Sequence, residues 1–119
     1  MAKNHDIVPL IDLYGPILTP KQQDFLEYYY NDDLSLSEIA ENEGITRQGV
    51  CDAIKRAERE LLDTEEKLGL VARLSQLSNA LDTIMQTAVH LSEYNDTVLH
   101  DDTVESDIIK IKATIMKVD

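Results

Sequence analysis

The stretch Leu36–Leu62, LSEIAENEGITRQGVCDAIKRAERELL, has the pattern of two helices joined by a tight turn. Ser35 and Glu38 form a capping box, in which each side chain satisfies a backbone N–H that the first helical turn leaves without a partner. Gly44 can end the first helix in the left-handed conformation, because a residue without a Cβ enters it at no steric cost. Thr46 is a good N-cap for the second helix. The stretch therefore predicts a helix-turn-helix.

The second helix of this pair has one apolar face and one polar face. Its apolar residues recur at the i, i+3, i+4 spacing of a helix face, and we expect them in the core: Val50, Ala53, Ile54, Ala57 and Leu61. The opposite face comprises Gln48, Asp52, Lys55 and Arg59, with Cys51 and Arg56 flanking it. Between Thr46 and Arg59 four basic residues accompany two acidic ones, so the segment carries a net charge of +2. This face is left for solvent or a partner.

The overall charge opposes a simple assignment to DNA binding. The chain has 11 basic and 23 acidic residues and a net charge of −12, whereas affinity for DNA comes mainly from neutralising phosphates. A helix-turn-helix with a basic second helix is typical of DNA-binding proteins, but an ordinary helical hairpin has the same pattern. We expect DNA binding to be weak to moderate and salt-dependent. A protein partner, or RNA within a ribonucleoprotein, remains a competing interpretation.

Composition excludes several classes of protein. There is no apolar run of about 18 residues that would predict a membrane span, and the N-terminus lacks a secretory signal pattern, so we expect a cytoplasmic protein. The single cysteine, Cys51, excludes an internal disulfide. The three histidines have no ligand-like spacing, and no glycine-rich phosphate loop or nucleophile arrangement is present. We therefore predict no catalytic residue, no metal and no cofactor, and we do not expect an enzyme.

Two further helices are predicted before the helix-turn-helix. Asp6 is expected to cap the first, which ends at Gly15–Pro16 and has an apolar face of Ile7, Leu10, Ile11 and Tyr14. The second begins with Thr19 as N-cap, Pro20 in its first turn and Gln22 completing a capping box, and runs to about Tyr30. Its expected buried residues are Phe25, Leu26 and Tyr29, with Tyr28 and Tyr30 at the flanks.

The C-terminal part has a different period. After a break at Gly69, apolar residues alternate steps of four and three, which predicts a long amphipathic helix: Leu70, Leu74, Leu77, Leu81, Ile84, Ala88 and Leu91. Residues 95–103, NDTVLHDDT, are typical of an acidic loop. A last helix repeats the spacing with Val104, Ile108, Ile111, Ile115 and Val118.

A hairpin of two such helices leaves apolar surface uncovered. That surface either packs against the N-terminal helices or pairs with a second chain as a two-fold dimer, and we favour the homodimer. The predicted organisation is thus an N-terminal helix-turn-helix domain, residues 1–68, and a C-terminal dimerisation hairpin, residues 69–119.

The segment Asp12–Leu70 resembles the YlxM-like family of small helix-turn-helix proteins of Gram-positive bacteria, through LTPKQ, YYYNDDLSLSEIAE, TRQGV and IKR. That family is in turn similar to region four of bacterial sigma factors, which implies an all-α bundle. The similarity implies that the residues facing the DNA groove or phosphates are Arg47, Gln48, Asp52, Lys55 and Arg56. It also implies an association with the signal recognition particle.

We accordingly expect a DNA-binding regulatory protein in which Gln48 and Asp52 reach base edges while Lys55, Arg56 and Arg59 hold phosphates. The alternative is a module that binds protein or RNA components of the signal recognition particle without sequence-specific DNA binding.

Overall fold

The computed structural model describes residues 2–118, and within that range the chain is all-α. Its six helices are α1 (Ile7–Tyr14), α2 (Pro20–Leu26), α3 (Leu36–Glu43), α4 (Arg47–Leu68), α5 (Leu70–Tyr94) and α6 (Asp102–Met116). A 3-10 turn, Gly15–Ile17, follows α1, and π-helical turns follow α2 at Glu27–Asn31 and α5 at Asn95–Leu99. The chain divides into two compact units, of which one ends at Val71 and the other begins at Ala72. The predicted fold class is confirmed.

Side-chain caps begin α2 and α3 as the sequence predicts, with complete capping boxes at Thr19 and Ser35. Asp6 does not cap α1, although the helix begins directly after it. Asp6 has helical backbone angles, whereas a capping side chain needs an extended residue. Asn4 serves the first turn instead, because its side-chain Oδ1 accepts the Asp6 N–H at 3.1 Å and its carbonyl accepts the Ile7 N–H at 3.0 Å.

The N-terminal unit is built around α4, which contacts α1, α2 and α3. Fifteen buried side chains form one core. Most residues expected on the inner faces of α1, α2 and α4 are buried, and Ile11 and Ala53 are partly buried against the same core. Tyr28 and Tyr30, expected at the flanks of the helix, also pack against this core at its edge.

A hydrogen-bonded clamp fixes the step from α4 to α5. Gly69 ends α4 with a φ of +64°, in the left-handed region that favours glycine. The Tyr14 hydroxyl donates to Glu65 Oε1 at 2.6 Å and accepts the Leu70 N–H at 3.2 Å. The Val71 N–H donates to the same Glu65 oxygen at 3.0 Å. The predicted break at Gly69 is therefore present, and hydrogen bonds from Tyr14 and Glu65 stabilise the backbone just after it.

The C-terminal unit is an antiparallel hairpin of α5 and α6. Leu81 and Ile84 line one depression with Ile111 and Ile115, while Leu77 lines a neighbouring one with residues that include Val118. These pairings run in opposite directions along the two helices, which defines the antiparallel arrangement.

The predicted acidic loop at residues 95–103 is wrong. Residues 95–99 continue α5 as a π-helical turn, and α6 begins at Asp102, which leaves two residues between them. Asn95 is 3% exposed; its amide donates to the Asp101 carbonyl at 3.0 Å and its Oδ1 accepts the Asp101 N–H at 2.9 Å. This pairing lets polar residues form a tight corner. Val118, expected in the last helix, lies beyond its end.

Candidate nucleic-acid interface

The turn between α3 and α4 has the geometry that the sequence predicts. Gly44 ends α3 with a φ of +68°, and its N–H donates to the Ala40 carbonyl. The Ile45 N–H donates to the same carbonyl at 3.1 Å. Thr46 Oγ1 then accepts the Gly49 N–H at 2.9 Å and so caps α4. Three residues thus separate the helices, as in a helix-turn-helix.

Contacts outside the turn hold α3 in place against the rest of the unit. Lys21 of α2 donates to Glu43 at the end of α3 at 2.5 Å, and its ammonium lies 5.5 Å from the centre of the Phe25 ring. The hydrogen bond to Glu43 raises the pKa of Lys21. Ile39 and Ala40 are buried on the inner face of α3. The helix that precedes the turn is therefore fixed from both sides.

All six predicted site residues lie exposed on α4, along one side of its first thirteen residues: Arg47, Gln48, Asp52, Lys55, Arg56 and Arg59. We call this set the α4 stripe. The opposite side of the same segment is buried through Val50, Ile54 and Ala57. From Gln48 to Arg59 the stripe spans about 17 Å at 1.5 Å per residue. The structure thus brings the residues together on a continuous surface that a partner can reach.

Within the stripe, Gln48 and Asp52 are paired before any ligand is bound. Gln48 Nε2 donates to Asp52 Oδ1 at 2.8 Å, across one turn of the helix. This bond uses one of the two amide N–H groups of Gln48 and leaves its carbonyl oxygen and its second N–H available. The pair therefore presents an oriented donor and acceptor to a ligand.

The cations of the stripe are not neutralised by ion pairs. Within residues 2–118, the two ion pairs of the chain are Lys3–Asp33 and Lys21–Glu43, and neither involves α4. Sequence reasoning missed the role of Glu58, which lies beside the stripe and accepts a hydrogen bond from the Tyr30 hydroxyl. Burial and this bond raise the pKa of Tyr30 above its ordinary value of 10.0. The Glu58 carboxylate is thus hydrogen-bonded to Tyr30 at the edge of the core, and it forms no ion pair with the cations of the stripe.

Cys51 does not flank the polar face, and this part of the prediction is wrong. Its side chain is 7% exposed and belongs to the core. Since α4 contacts three other helices, its buried arc is wider than the single face that a helical wheel assigns. A signal for this was present in the sequence, because cysteine is among the residue types most often buried.

The surface beside the stripe is an open depression of about 620 Å³, lined by Lys55, Arg56, Glu58, Arg59, Leu62 and Asp63. It is a shallow cationic surface with acidic residues at its edge, suited to a charged polymer more than to a small molecule. In the described part of the chain, no cluster of three histidine, cysteine or acidic residues could hold a metal ion. No helix formed by the described residues has the length and apolar character to cross a membrane.

A family model described as "Putative helix-turn-helix protein, YlxM / p13 like", UPF0122, matches residues 1–100. A UPF0122 protein of Desulforamulus reducens is 54% identical over 81 residues, which are 68% of this chain and 69% of the relative. Those of Limosilactobacillus reuteri and Lacticaseibacillus casei are 49% and 43% identical over 72% and 74% of this chain, and over 76% and 78% of their own lengths.

Proposed function

This chain belongs to the UPF0122 family of YlxM/p13-like helix-turn-helix proteins, and on that basis we propose that it is a non-enzymatic regulatory protein that binds duplex DNA through α4. The observation that carries the proposal is the α4 stripe, which follows the turn directly and whose four cations have no ion-pair partner among residues 2–118. In proteins of this kind the N-terminal part of the second helix contacts base edges in the major groove.

The residues of the stripe divide into base-reading and phosphate-binding groups. Gln48 and Asp52 lie near the start of α4, where a recognition helix enters the groove. With one N–H held by Asp52, the Gln48 amide can accept from adenine N6 and donate to adenine N7. Lys55, Arg56 and Arg59 lie further along the helix and bind phosphates. Arg47, the first residue of α4, is placed to contact either.

The acidic remainder of the chain limits the affinity. Residues 1–62 contain six basic and twelve acidic residues, and exposed carboxylates within a Debye length of the duplex, about 10 Å at 0.1 M salt, repel it. The attraction is therefore local to the stripe and the repulsion is spread over the body. The affinity for DNA is accordingly weak to moderate. Discrimination between DNA sequences comes from the base contacts, because phosphate contacts are the same for all sequences.

Selection from random-sequence duplexes, followed by titration over a salt series, tests the proposal. Each phosphate contact adds about 0.9 to the magnitude of the salt slope, so Lys55→Ala with Arg56→Ala lowers it by about 1.8. Lys67→Ala, an exposed lysine on the last turn of the same helix, is the matched control and leaves the slope unchanged. Absence of any selected sequence, or an unaltered slope in the double variant, would overturn DNA binding.

A second candidate function is an interaction module that acts on protein or RNA components of the signal recognition particle. The net charge of −12 favours it, because an acidic body attracts a basic partner protein, whereas it repels DNA. Purified particle components, tested beside DNA in the same salt series, separate the two candidates. Binding to the particle's GTPase or RNA without any selected DNA sequence supports the second; no binding and no change in GTP hydrolysis excludes it.

We also propose that the chain forms a homodimer through its C-terminal helices. Five of the seven heptad residues of α5 keep more than two fifths of their surface exposed: Leu70, Leu74, Leu77, Ile84 and Leu91. An apolar face of this size favours association, and helix-turn-helix proteins commonly bind paired half-sites as two-fold dimers. Sedimentation of the whole chain at micromolar concentration measures the oligomeric state directly.

A further inference from the structure

We propose that Tyr30 is a positioning residue for the α4 stripe: its hydroxyl holds the Glu58 carboxylate away from the cations of the stripe and so leaves them free to bind phosphate groups. This role rests on the proposed binding of DNA and specifies what keeps the charge of that site available. Three features support it: the place of Glu58 beside the cations, the bonding of the Tyr30 hydroxyl, and the bonding of the second carboxylate on the same side of α4.

Glu58 lies where it could neutralise part of the stripe. It is half-buried and lines the same open depression as Lys55, Arg56 and Arg59. Lys55 precedes it by three residues on α4, and side chains three residues apart are neighbours on a helix surface. A carboxylate paired with Lys55 would compete with a phosphate for the same ammonium group. Glu58 is therefore placed to weaken the attraction of the stripe for an anion.

The Tyr30 hydroxyl engages this carboxylate from the other side. It accepts the Asn4 N–H at 3.3 Å and donates its single O–H to Glu58 Oε1 at 2.5 Å. The Tyr30 ring is partly buried and packs against the core, which fixes the position of the hydroxyl. Burial and the bond to Glu58 also raise the pKa of Tyr30, so the hydroxyl remains a donor into the alkaline range. The carboxylate is thus bonded to a neutral donor and not to a cation.

The second carboxylate on this side of α4 is bonded in the same way. Asp52 precedes Lys55 by three residues, yet its Oδ1 accepts from the neutral amide of Gln48. Among residues 2–118, neither Asp52 nor Glu58 forms an ion pair. The two neutral donors differ in one respect. Gln48 belongs to the stripe, whereas Tyr30 lies outside it, so the Tyr30 hydroxyl can be removed without removing a proposed contact to DNA.

A double-variant cycle measures the positioning role. Tyr30→Phe releases Glu58 to the cations and weakens binding to a duplex of about 20 base pairs roughly three- to eightfold at 0.1 M salt, the larger value being the loss of one phosphate contact. The magnitude of the salt slope falls by up to about 0.9. Glu58→Gln keeps an acceptor for the Tyr30 hydroxyl and removes the competing charge. In that background Tyr30→Phe changes the affinity by less than about twofold.

The cycle separates positioning from stability, because both backgrounds lose the same Tyr30 hydroxyl. Equal losses of affinity in the two backgrounds, or no loss in either, overturn the proposal. Glu60→Gln is the matched charge control: Glu60 is on the same helix but accepts from Gln22 Nε2 of α2 at 3.5 Å. In the Glu60→Gln background Tyr30→Phe keeps its full effect. Disappearance of the effect there would show that net charge, not Glu58, determines the affinity, and would overturn the proposal.

Tyr28→Phe is the matched control for the hydroxyl. It makes the same chemical change two residues earlier, at a ring that also packs against the core, and it leaves the affinity for the duplex at the wild-type value. A loss as large as that of Tyr30→Phe would show that any change at this edge of the core weakens binding, and would overturn the positioning role.

Inorganic polyphosphate, used as a second probe, distinguishes this role from DNA binding itself. The same cations attract polyphosphate without any base contact, so the cycle is expected to give the same pattern with it. If the chain binds polyphosphate with this pattern but binds no duplex, the DNA proposal fails and the role of Tyr30 stands. If it binds the duplex and the two substitutions are additive, the role of Tyr30 fails alone. If it binds neither probe, both proposals are overturned.

Discussion

The N-terminal unit encloses its apolar residues, whereas the C-terminal unit leaves most of its own exposed. Fifteen of the seventeen buried apolar side chains belong to the first, and only Ala88 and Ile108 belong to the second, among residues 2–118. The sequence patterns of α4 and α5 are nevertheless similar, since both have apolar residues at steps of three and four. Periodicity therefore predicts that a helix has an inner face, but not what covers it.

The number of packing partners explains the difference. Three helices surround α4, so residues on a wide arc of its surface are buried, Cys51 among them. Within the C-terminal unit, among the described residues, α5 faces one other helix, α6, and only Ala88 and Ile108 are buried apolar residues there. Most other large apolar residues of α5 keep two fifths or more of their surface exposed. The apolar residues of one region are thus covered within the chain, and those of the other are largely exposed.

The largest expected effect comes from truncating the same residue type in each region. Leu61→Ala, at a fully buried position of α4, destabilises the N-terminal unit by about 2–5 kcal/mol, because it removes apolar contacts and leaves a cavity. Leu77→Ala, at a half-exposed position of α5, changes the stability of the isolated chain by about 0.5 kcal/mol or less. Denaturant unfolding at low protein concentration measures both.

Protein concentration then sharpens the comparison. If the exposed apolar face of α5 mediates the proposed homodimer, the cost of Leu77→Ala rises with concentration, since association stabilises only the folded chain. The cost of Leu61→Ala is the same at all concentrations. Equal losses in the free energy of unfolding for Leu61→Ala and Leu77→Ala at low concentration would contradict the contrast between the buried core of the N-terminal unit and the exposed face of α5.

The second prediction concerns the one buried polar side chain among residues 2–118, Asn95. It holds the corner of the hairpin through three hydrogen bonds, two to the Asp101 backbone and one to Glu105 Oε2 at 3.3 Å. Asn95→Ala leaves the Asp101 N–H and carbonyl without these partners and costs the hairpin about 1–3 kcal/mol. Hydrogen exchange of α6 amides measures the loss, and amides of the N-terminal unit serve as the internal reference.

Asn95→Asp separates hydrogen bonding from shape at this corner. The carboxylate keeps the acceptor for the Asp101 N–H but loses both amide donors, and it places a negative charge beside Glu105. It therefore destabilises the hairpin at neutral pH and less in acid, where the carboxyl is protonated and can donate. If Asn95→Asp also accelerated exchange in the N-terminal unit, the hairpin would not unfold independently of that unit, which would contradict the prediction.

These residues also mark how far sequence reasoning extends. Ser35, Thr19, Thr46 and Gly44 were predictable because a cap or a left-handed turn depends on a few neighbouring residues. All six residues of the α4 stripe are exposed as expected, since one helix determines their common side.

The corrections have two origins, the packing of several helices and short-range hydrogen bonds between side chains and the backbone. Cys51 is buried because three helices reach α4, and residues 95–99 remain helical because Asn95 finds its partners in the Asp101 backbone. Asp6 fails as a cap because Asn4 takes the role two residues earlier. The packing around Cys51 is not visible in the sequence of α4 alone, whereas the partners of Asn95 and Asp6 lie within six residues of them but depend on the backbone geometry.

The smallest effect, and the most specific to the N-terminal unit, is expected at Tyr30. Its hydroxyl donates to Glu58 and accepts the Asn4 N–H, and burial, with the Glu58 bond second, raises its pKa. A raised pKa means that the folded state holds the proton more tightly, so this contribution is complete below the ordinary pKa of 10.0 and declines as the pH rises above it. Tyr30→Phe should therefore cost about 0.5–1.5 kcal/mol at neutral pH, and the stability gap to the wild type should narrow in alkali. Unfolding followed at several pH values, with probes in each unit, measures that gap. A stability gap that stayed constant through the alkaline range would contradict the link between Tyr30 ionisation and stability. An equal gap in the hairpin would show that the effect is not confined to the N-terminal unit.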